Sequence, residues 1–289
     1  MAGIPTNRTT IALPTEVSQE IMSKTQNESA VMRLARQIPL PGRGLTIPVI
    51  TSDPVAEWVD ETNAKPISNP GLDKKIMQAY KLAVIMPFSN EFRRDAAALY
   101  DELVRRLPLA LAERFDATVF GGVTAPGANF DTFAAATAQS IASTNTYAGL
   151  VAADGDIATH GGILNGFVIS PQAKAILLSA VDGNLRPLFI NSVAEGAIPM
   201  ILGAQTLQSK GAYVTGSPAT VGVAGDWTQA MYGTVEGVQI SYSSDATLTV
   251  GSGDSAQTIN LFQQNMFAVR AEIEVGFRAD VTCFNRLTA

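Results

Sequence analysis

The sequence has a single cysteine, Cys283, and a single histidine, His160, among its 289 residues. One thiol excludes an intrachain disulfide, and the two residues together fall short of the ligand set of a structural zinc site. Charge is also scarce: 16% of residues are charged, against 46% that are hydrophobic. That balance is apolar for a soluble monomer and suits a subunit that buries much of its surface against neighbours. The net charge of −6 has the wrong sign for a dedicated nucleic-acid reader, so any contact with nucleic acid is expected to be weak and non-specific. No run of about eighteen apolar residues occurs, and the opening MAGIPTNRTT lacks the basic start and apolar stretch of a signal peptide. Neither a membrane span nor export is expected. Glycine-rich phosphate loops of the P-loop or dinucleotide-binding kind are missing as well, so no nucleotide cofactor, and no other cofactor or metal, is expected.

What is present is a sequence of distinct patterns. Pro14 and Thr15 mark a helix start, and Val17, Ile21, Ala30, Val31 and Leu34 fit a short helical pattern broken near Asn27. Residues 1–40 therefore read as an arm with little core of its own. From Leu45 to Met86 the pattern becomes strand-like in LTIPVIT, VAEWV and QAYKLAVIM, separated by the turn-rich DETNAKPISNPG. This predicts an extended hairpin with a soft tip. Ser89 offers a cap for a long helix in which Phe92, Ala96, Leu99, Leu103, Leu107, Leu111 and Phe115 recur at three- or four-residue steps. Pro108 falls inside it and predicts a bend.

After the irregular GGVTAPGANFDT comes a segment rich in Ala, Ser and Thr, where a second domain is expected to begin. GFVIS reads as a buried strand, Ser170 and Pro171 as the cap and first position of a helix through Ala180, and VDGNLRP as its exit turn. GAIPMILG, AYVTG, TVGVAGDW, QAMYGTV and VQISYS read as short strands, which makes the fold class α+β. Near the end, Phe267, Val269, Ala271, Ile273, Val275 and Phe277 alternate with Ala268, Arg270, Glu272, Glu274, Gly276 and Arg278. A period of two over that length predicts one long strand with an apolar face and a largely charged one.

This order resembles the Hong Kong 97-like major capsid protein family of tailed bacteriophages. The likeness is carried by VAEWVDETNAKPIS with KLAVIMPFSNEFRRDA, by LALAERFDATVFGG, by GFVISPQAKAILLSAVDGNLRPLF, by VAGDWTQAMYG and by LFQQNMFAVRAEIEVGF, and it covers nearly the whole chain. It implies an N-terminal arm (1–40), an extended loop (41–88), a peripheral domain with a spine helix (89–139 and 263–289) and an axial domain (140–262). It further implies a non-enzymatic shell subunit that assembles as hexamers and pentamers of an icosahedral phage head around double-stranded DNA. Its site would be the virion capsid, with assembly in the host bacterial cytoplasm. A scaffolding protein, a portal and a decoration protein are expected partners, and the scaffold is either a separate protein, a removed segment, or not needed. The loop would lie across a neighbouring subunit, with Trp58 as an anchor and Glu57, Asp60, Glu61, Lys65, Arg93 and Arg94 as further interface residues. Some family members join a loop lysine to a neighbour's asparagine. Lys65, Lys74 and Lys75 lie in the corresponding loop, but nothing in the sequence identifies the asparagine or the catalytic acid.

Other chemistry was weighed against blander readings. His160 and Cys283 lack an orienting third group and read as a surface histidine and a buried cysteine. The acidic group at Asp53, Glu57, Asp60 and Glu61 has no metal-loop spacing and reads as a solvated or intersubunit face. GDSA at 253–256 lies in a Ser- and Gly-rich stretch and reads as a loop. Arg33, Arg36, Arg93, Arg94, Arg105 and Arg106 are the basic groupings, which either face DNA or pair with the acidic loop of a neighbour, pairing across subunits being the expectation. Two rival functions remain: an encapsulin, of the same fold but enclosing an enzyme cargo, and a homo-oligomeric α/β enzyme.

Overall fold

The elements follow from these patterns in chain order, in a computed structural model that describes residues 15–42, 44–52, 58–59, 71–91, 96–142, 146–182, 184, 186–189, 200–250 and 257–289. The arm holds α1 (Thr15–Glu28) and α2 (Ala30–Leu34), followed by β1 (Arg36–Pro39). Next come β2 (Leu45–Ser52), β3 (Gly71–Met77), β4 (Tyr80–Ser89) and the long helix α3 (Ala96–Val119). Then follow β5 (Thr137–Ser140), α4 (Thr146–Thr159), β6 (Gly166–Ile169), α5 (Pro171–Ser179), β7 (Met200–Ile201), β8 (Ala204–Gln208) and β9 (Thr220–Gly225). The chain closes with β10 (Ala230–Thr234), β11 (Gln239–Ser243), β12 (Thr247–Val250), β13 (Gln257–Asn260), β14 (Met266–Ala279) and β15 (Phe284–Thr288).

Two large sheets carry the molecule. In the first, β14 is central: it pairs antiparallel with β4, β10 and β11, and β1 joins parallel to β10. Phe267, Val269, Ala271, Ile273, Val275 and Phe277 of β14 are all buried, as the alternation requires. The opposite face is charged but partnered, by Arg270 with Glu272, Lys81 with Glu274 and Arg278 with Asp131. Helix α3 lays Leu103, Leu107, Leu111, Phe115 and Val119 against this layer, none more than 2% exposed. The second sheet has the order β5-β15-β9-β6-β8-β7, with α4 and α5 contributing Leu150, Ala153, Ile157, Ala173 and Leu177 to its own core.

The two sheets meet where β9 of one runs into β10 of the other. Asp226 sits at that joint, its carboxylate accepting from the Ile163, Thr228 and Asn165 donors at 2.6–3.0 Å. Burial alone would raise this carboxyl, but the converging donors hold it below the usual range. Asn165 in turn accepts from the Trp227 backbone N–H, and the Trp227 indole donates to the Gly166 carbonyl at 3.1 Å.

A second close approach lies across β10 and β14, where Gly233 stands opposite Gly276. A side chain at Gly233 would strike Leu40 and the Met77 sulfur at 2.4–2.9 Å, and one at Gly276 would meet Gln78 and Met77. Glycine is needed at this notch because the end of the arm and the end of β3 both plug into it.

Several expectations are corrected. LTIPVIT does start a hairpin, but its returning strand is GLDKKIM, from Leu45↔Met77 to Ser52↔Gly71. QAYKLAVIM instead enters the first sheet as part of β4, because β14 offers it a ten-residue partner. Ser89 ends that strand opposite Met266, its hydroxyl accepting from Glu91 N–H at 3.4 Å, and the residues just before Ala96, where the long helix would be capped, lie outside the described residues. Pro108 does lie inside α3, which continues as one element from Ala96 to Val119, and the bend expected there stays an expectation. The arm's Ile21, Ala30, Val31 and Met32 are all buried, in clusters they share with α3 and β14. AYVTG supplies only an isolated bridge at Val214, and α4 arises where only a composition bias had been noted.

Candidate assembly surfaces

The β2–β3 hairpin belongs to neither large sheet. Two antiparallel strands in water are marginal on their own, so this one needs either a tether or a neighbour. Near its base the structure supplies the tether. Arg278, only 9% exposed, donates from Nε to the Ile76 carbonyl at 2.8 Å, from Nη1 to Asp131 at 2.7 Å and from Nη2 to Asn129 at 2.9 Å. Lys75 of β3 donates to the Ala279 carbonyl at 3.0 Å and lies 3.9 Å from Asp131. Planar guanidinium forks suit such a junction, since one side chain satisfies three acceptors on two segments.

Even beside this tether Ile76 is 49% exposed, and Trp58, beyond the end of β2, is fully exposed at 104%. A large aromatic left in water is unusual for a monomer and is the kind of residue that anchors interfaces. The chain exposes 17144 Å² in total, about 5,000 Å² more than the roughly 11,800 Å² expected of a compact monomer of its mass.

The arm is fixed by a second buried device. Asp116 of α3 is 1% exposed and accepts from the Ser29 hydroxyl at 2.5 Å, the Ala30 N–H at 3.0 Å, the Val31 N–H at 3.4 Å and the Ser209 hydroxyl at 2.8 Å. Burial pushes its carboxyl up to about 6, against the opposing pull of these donors. The carboxylate satisfies the start of α2, which Ser29 also caps by accepting from Met32 N–H. Sequence periodicity carried a signal here: an acid stands among Ala112, Phe115 and Val119, on the buried stripe of α3.

Of the expected interface residues, Trp58 is exposed as anticipated, whereas Glu57, Asp60, Glu61, Lys65, Arg93 and Arg94 lie outside the described residues. Arg105 and Arg106 both pair with Glu102 on their own helix. Lys75 is engaged within its own chain, as above. Cys283 is buried with its sulfur 3.8 Å from the His160 carbonyl, and burial, reinforced by Asp280 and Asp226, pushes its thiol up. His160 turns its ring to the Asp156 carbonyl at 2.8 Å, so the two side chains form no nucleophile–base pair. No metal-binding cluster occurs among the described residues.

Comparison with known proteins agrees with this arrangement. Residues 9–280 match the model of the phage capsid family. The chain is 29% identical to the "Probable major capsid protein gp17" of Mycobacterium phage D29 over 96% of its length and 89% of that protein's. It is 24% identical to the "Major capsid protein" of Staphylococcus phage 80alpha, covering 95% of this chain and 84% of that one. Among solved structures, one from Microbacterium phage Oxtober96 superposes with a TM-score of 0.70 at 23% identity, over 90% of this chain and 91% of the other.

Proposed function

The chain belongs to the phage capsid family, and we propose that it works as the major capsid protein of a tailed phage, assembling as hexamers and pentamers into an icosahedral head around double-stranded DNA. The observation that carries the reading is the β2–β3 hairpin, tethered at its base and part of neither large sheet, with Trp58 fully exposed. Such a strand pair is stabilised when a neighbouring subunit covers it, and closed symmetry repeats that contact around each ring. The excess of exposed area is of the size that permanent interfaces bury.

In this reading the peripheral domain (89–139 and 263–289) carries α3 and β14, and the axial domain (140–262) carries α4, α5 and β6 to β9. Trp58, Glu57, Asp60, Glu61, Lys65, Arg93 and Arg94 belong to contacts between subunits. Packaged DNA is touched non-specifically, in keeping with the net charge of −6. Scaffolding, portal and decoration proteins are the remaining partners, and assembly takes place in the host cytoplasm before the shell becomes part of the virion. The protein acts through its interfaces and performs no catalysis of its own.

Electron microscopy of the purified protein tests the proposal. Closed shells, or hexameric and pentameric rings, are expected. Persistent monomers or dimers, even with phage lysate added to supply assembly factors, would refute it. Enzyme cargo in place of DNA inside the shells would assign it to an encapsulin instead.

A further inference from the structure

Between β4 and the C-terminal half of α3 lies a cavity of about 150 Å³. Its floor is apolar: Tyr80, Leu82, Phe115, Phe130 and Val275 line it, and Phe130 meets both Tyr80 and Phe115 edge-on. An apolar cavity of about this volume is known to accept a benzene ring.

The outer wall is the loop 121–130, which is tied down at both ends. The Gly122 and Val123 N–H groups donate to the Ala117 carbonyl at 2.8 and 3.2 Å and hold one end to α3. At the other end the Asn129 N–H donates to the Tyr80 hydroxyl at 3.2 Å. A side chain at Gly127 would stand 2.5 Å from that same hydroxyl, so glycine lets the loop close on the ring. The walls are thus in place before anything enters, which spares a ligand the cost of ordering them.

The mouth adds one charge. Arg114 is exposed beside the cavity and makes no ion pair among the described residues, whereas Lys81 is taken up by Glu274 at 3.3 Å. Thr124, also exposed, contributes a hydroxyl next to it. We propose that this cavity is a binding site for a small monocyclic aromatic carboxylate, its ring on Phe115 and Phe130 and its carboxylate on Arg114. Every residue involved belongs to one subunit, so the inference stands apart from the shell reading.

Each part of the site selects against another class of ligand. The volume admits one ring with a short substituent. Edge-to-face packing on Phe115 and Phe130 favours an aromatic ring over an aliphatic one. An inorganic anion would leave the apolar floor uncovered, and a plain hydrocarbon would leave the guanidinium unused, although its fork suits a carboxylate bidentately. A bound acid would touch α3, β4, β14 and the loop together and brace the helix on its sheet.

The test titrates the unassembled subunit with sodium benzoate, with benzene and sodium acetate as controls, and follows saturation-transfer NMR and thermal unfolding. A ligand of about nine non-hydrogen atoms binds in about the millimolar range. Benzoate at about 10 mM should therefore raise the unfolding midpoint by about 2 °C, and acetate should not. Arg114→Gln, a change at an exposed side chain, should weaken benzoate about tenfold and leave benzene unaffected. Val123→Phe, which adds a ring to the cavity wall, should abolish binding of both. If that variant does not fold, the Arg114→Gln comparison decides alone. Benzoate ring protons that receive no saturation from the protein, a midpoint shift that acetate reproduces, or an unchanged benzoate response in Arg114→Gln would each overturn the site.

Discussion

Strands β3 and β4 are consecutive, with only Gln78 and Ala79 between them, yet their surroundings differ completely. β4 lies on β14 for ten residues, and its exposed and half-buried side chains alternate as in an ordinary sheet. β3 turns away to pair with β2 alone, buries Met77 at its base and leaves Ile76 half exposed. One strand is stabilised along its length by its own chain; the other, in the function proposed above, is presented for a different chain to stabilise. The contrast teaches that subunit stability and assembly are carried by adjacent but separable pieces, joined through Arg278, Lys75 and the glycine notch.

The largest effect should come from cutting that joint. Arg278→Ala leaves Asp131 and Asn129 without their main partner and frees β3 from its tether. Loss of one member of a buried pair costs about 3–5 kcal/mol, measured as a lower urea midpoint of the unassembled subunit. A loss under about 1 kcal/mol would mean that the hairpin does not depend on this junction.

Next in size is the arm clamp, which belongs wholly to the self-stabilised part. The Asp116 carboxyl stands at about 6 in the folded chain against an ordinary 3.8, so the folded state holds the proton more tightly. Its contribution is therefore fully present below about pH 4 and lost as pH rises through about 6. Relative to Asp116→Asn, the wild-type chain should lose on the order of 3 kcal/mol between pH 4 and pH 7, read from denaturant midpoints at both pH values. Parallel curves for the two proteins would remove the buried charge from the account.

The smallest effect on the subunit is expected on β3. Ile76→Ser should change subunit stability by less than about 0.5 kcal/mol, because its side chain is already half exposed. Shell yield, scored by sedimentation, should nonetheless fall. Equal losses in both measurements would dissolve the distinction between the two strands.

What the sequence made legible were features whose cause is local. The β14 alternation could be read directly because one face meets the core along its whole length. Helix α5 was legible from Ser170 and Pro171: the hydroxyl does accept from Ala173 N–H, and the exit turn is closed by Asp182 accepting from Asn184 and Arg186. Helix α4 was not, since its buried side is built largely from Gly149, Ala153 and Thr146 beside Leu150 and Ile157. β4 was placed in the hairpin because alternation specifies a face and not a partner, and its partner lies about 190 residues further along. Arg278 was read as part of a charged outer face; only the fold brings Asp131, Asn129 and Ile76 together around it.

The notch at Gly233 and Gly276 has a mechanical consequence. Leu40, where the arm ends, and Met77, where the hairpin ends, press into the same small space between β10 and β14. The two appendages therefore share one fulcrum. A change of side-chain size at Leu40 or Met77 should therefore disturb the seat of the arm and the seat of the hairpin together.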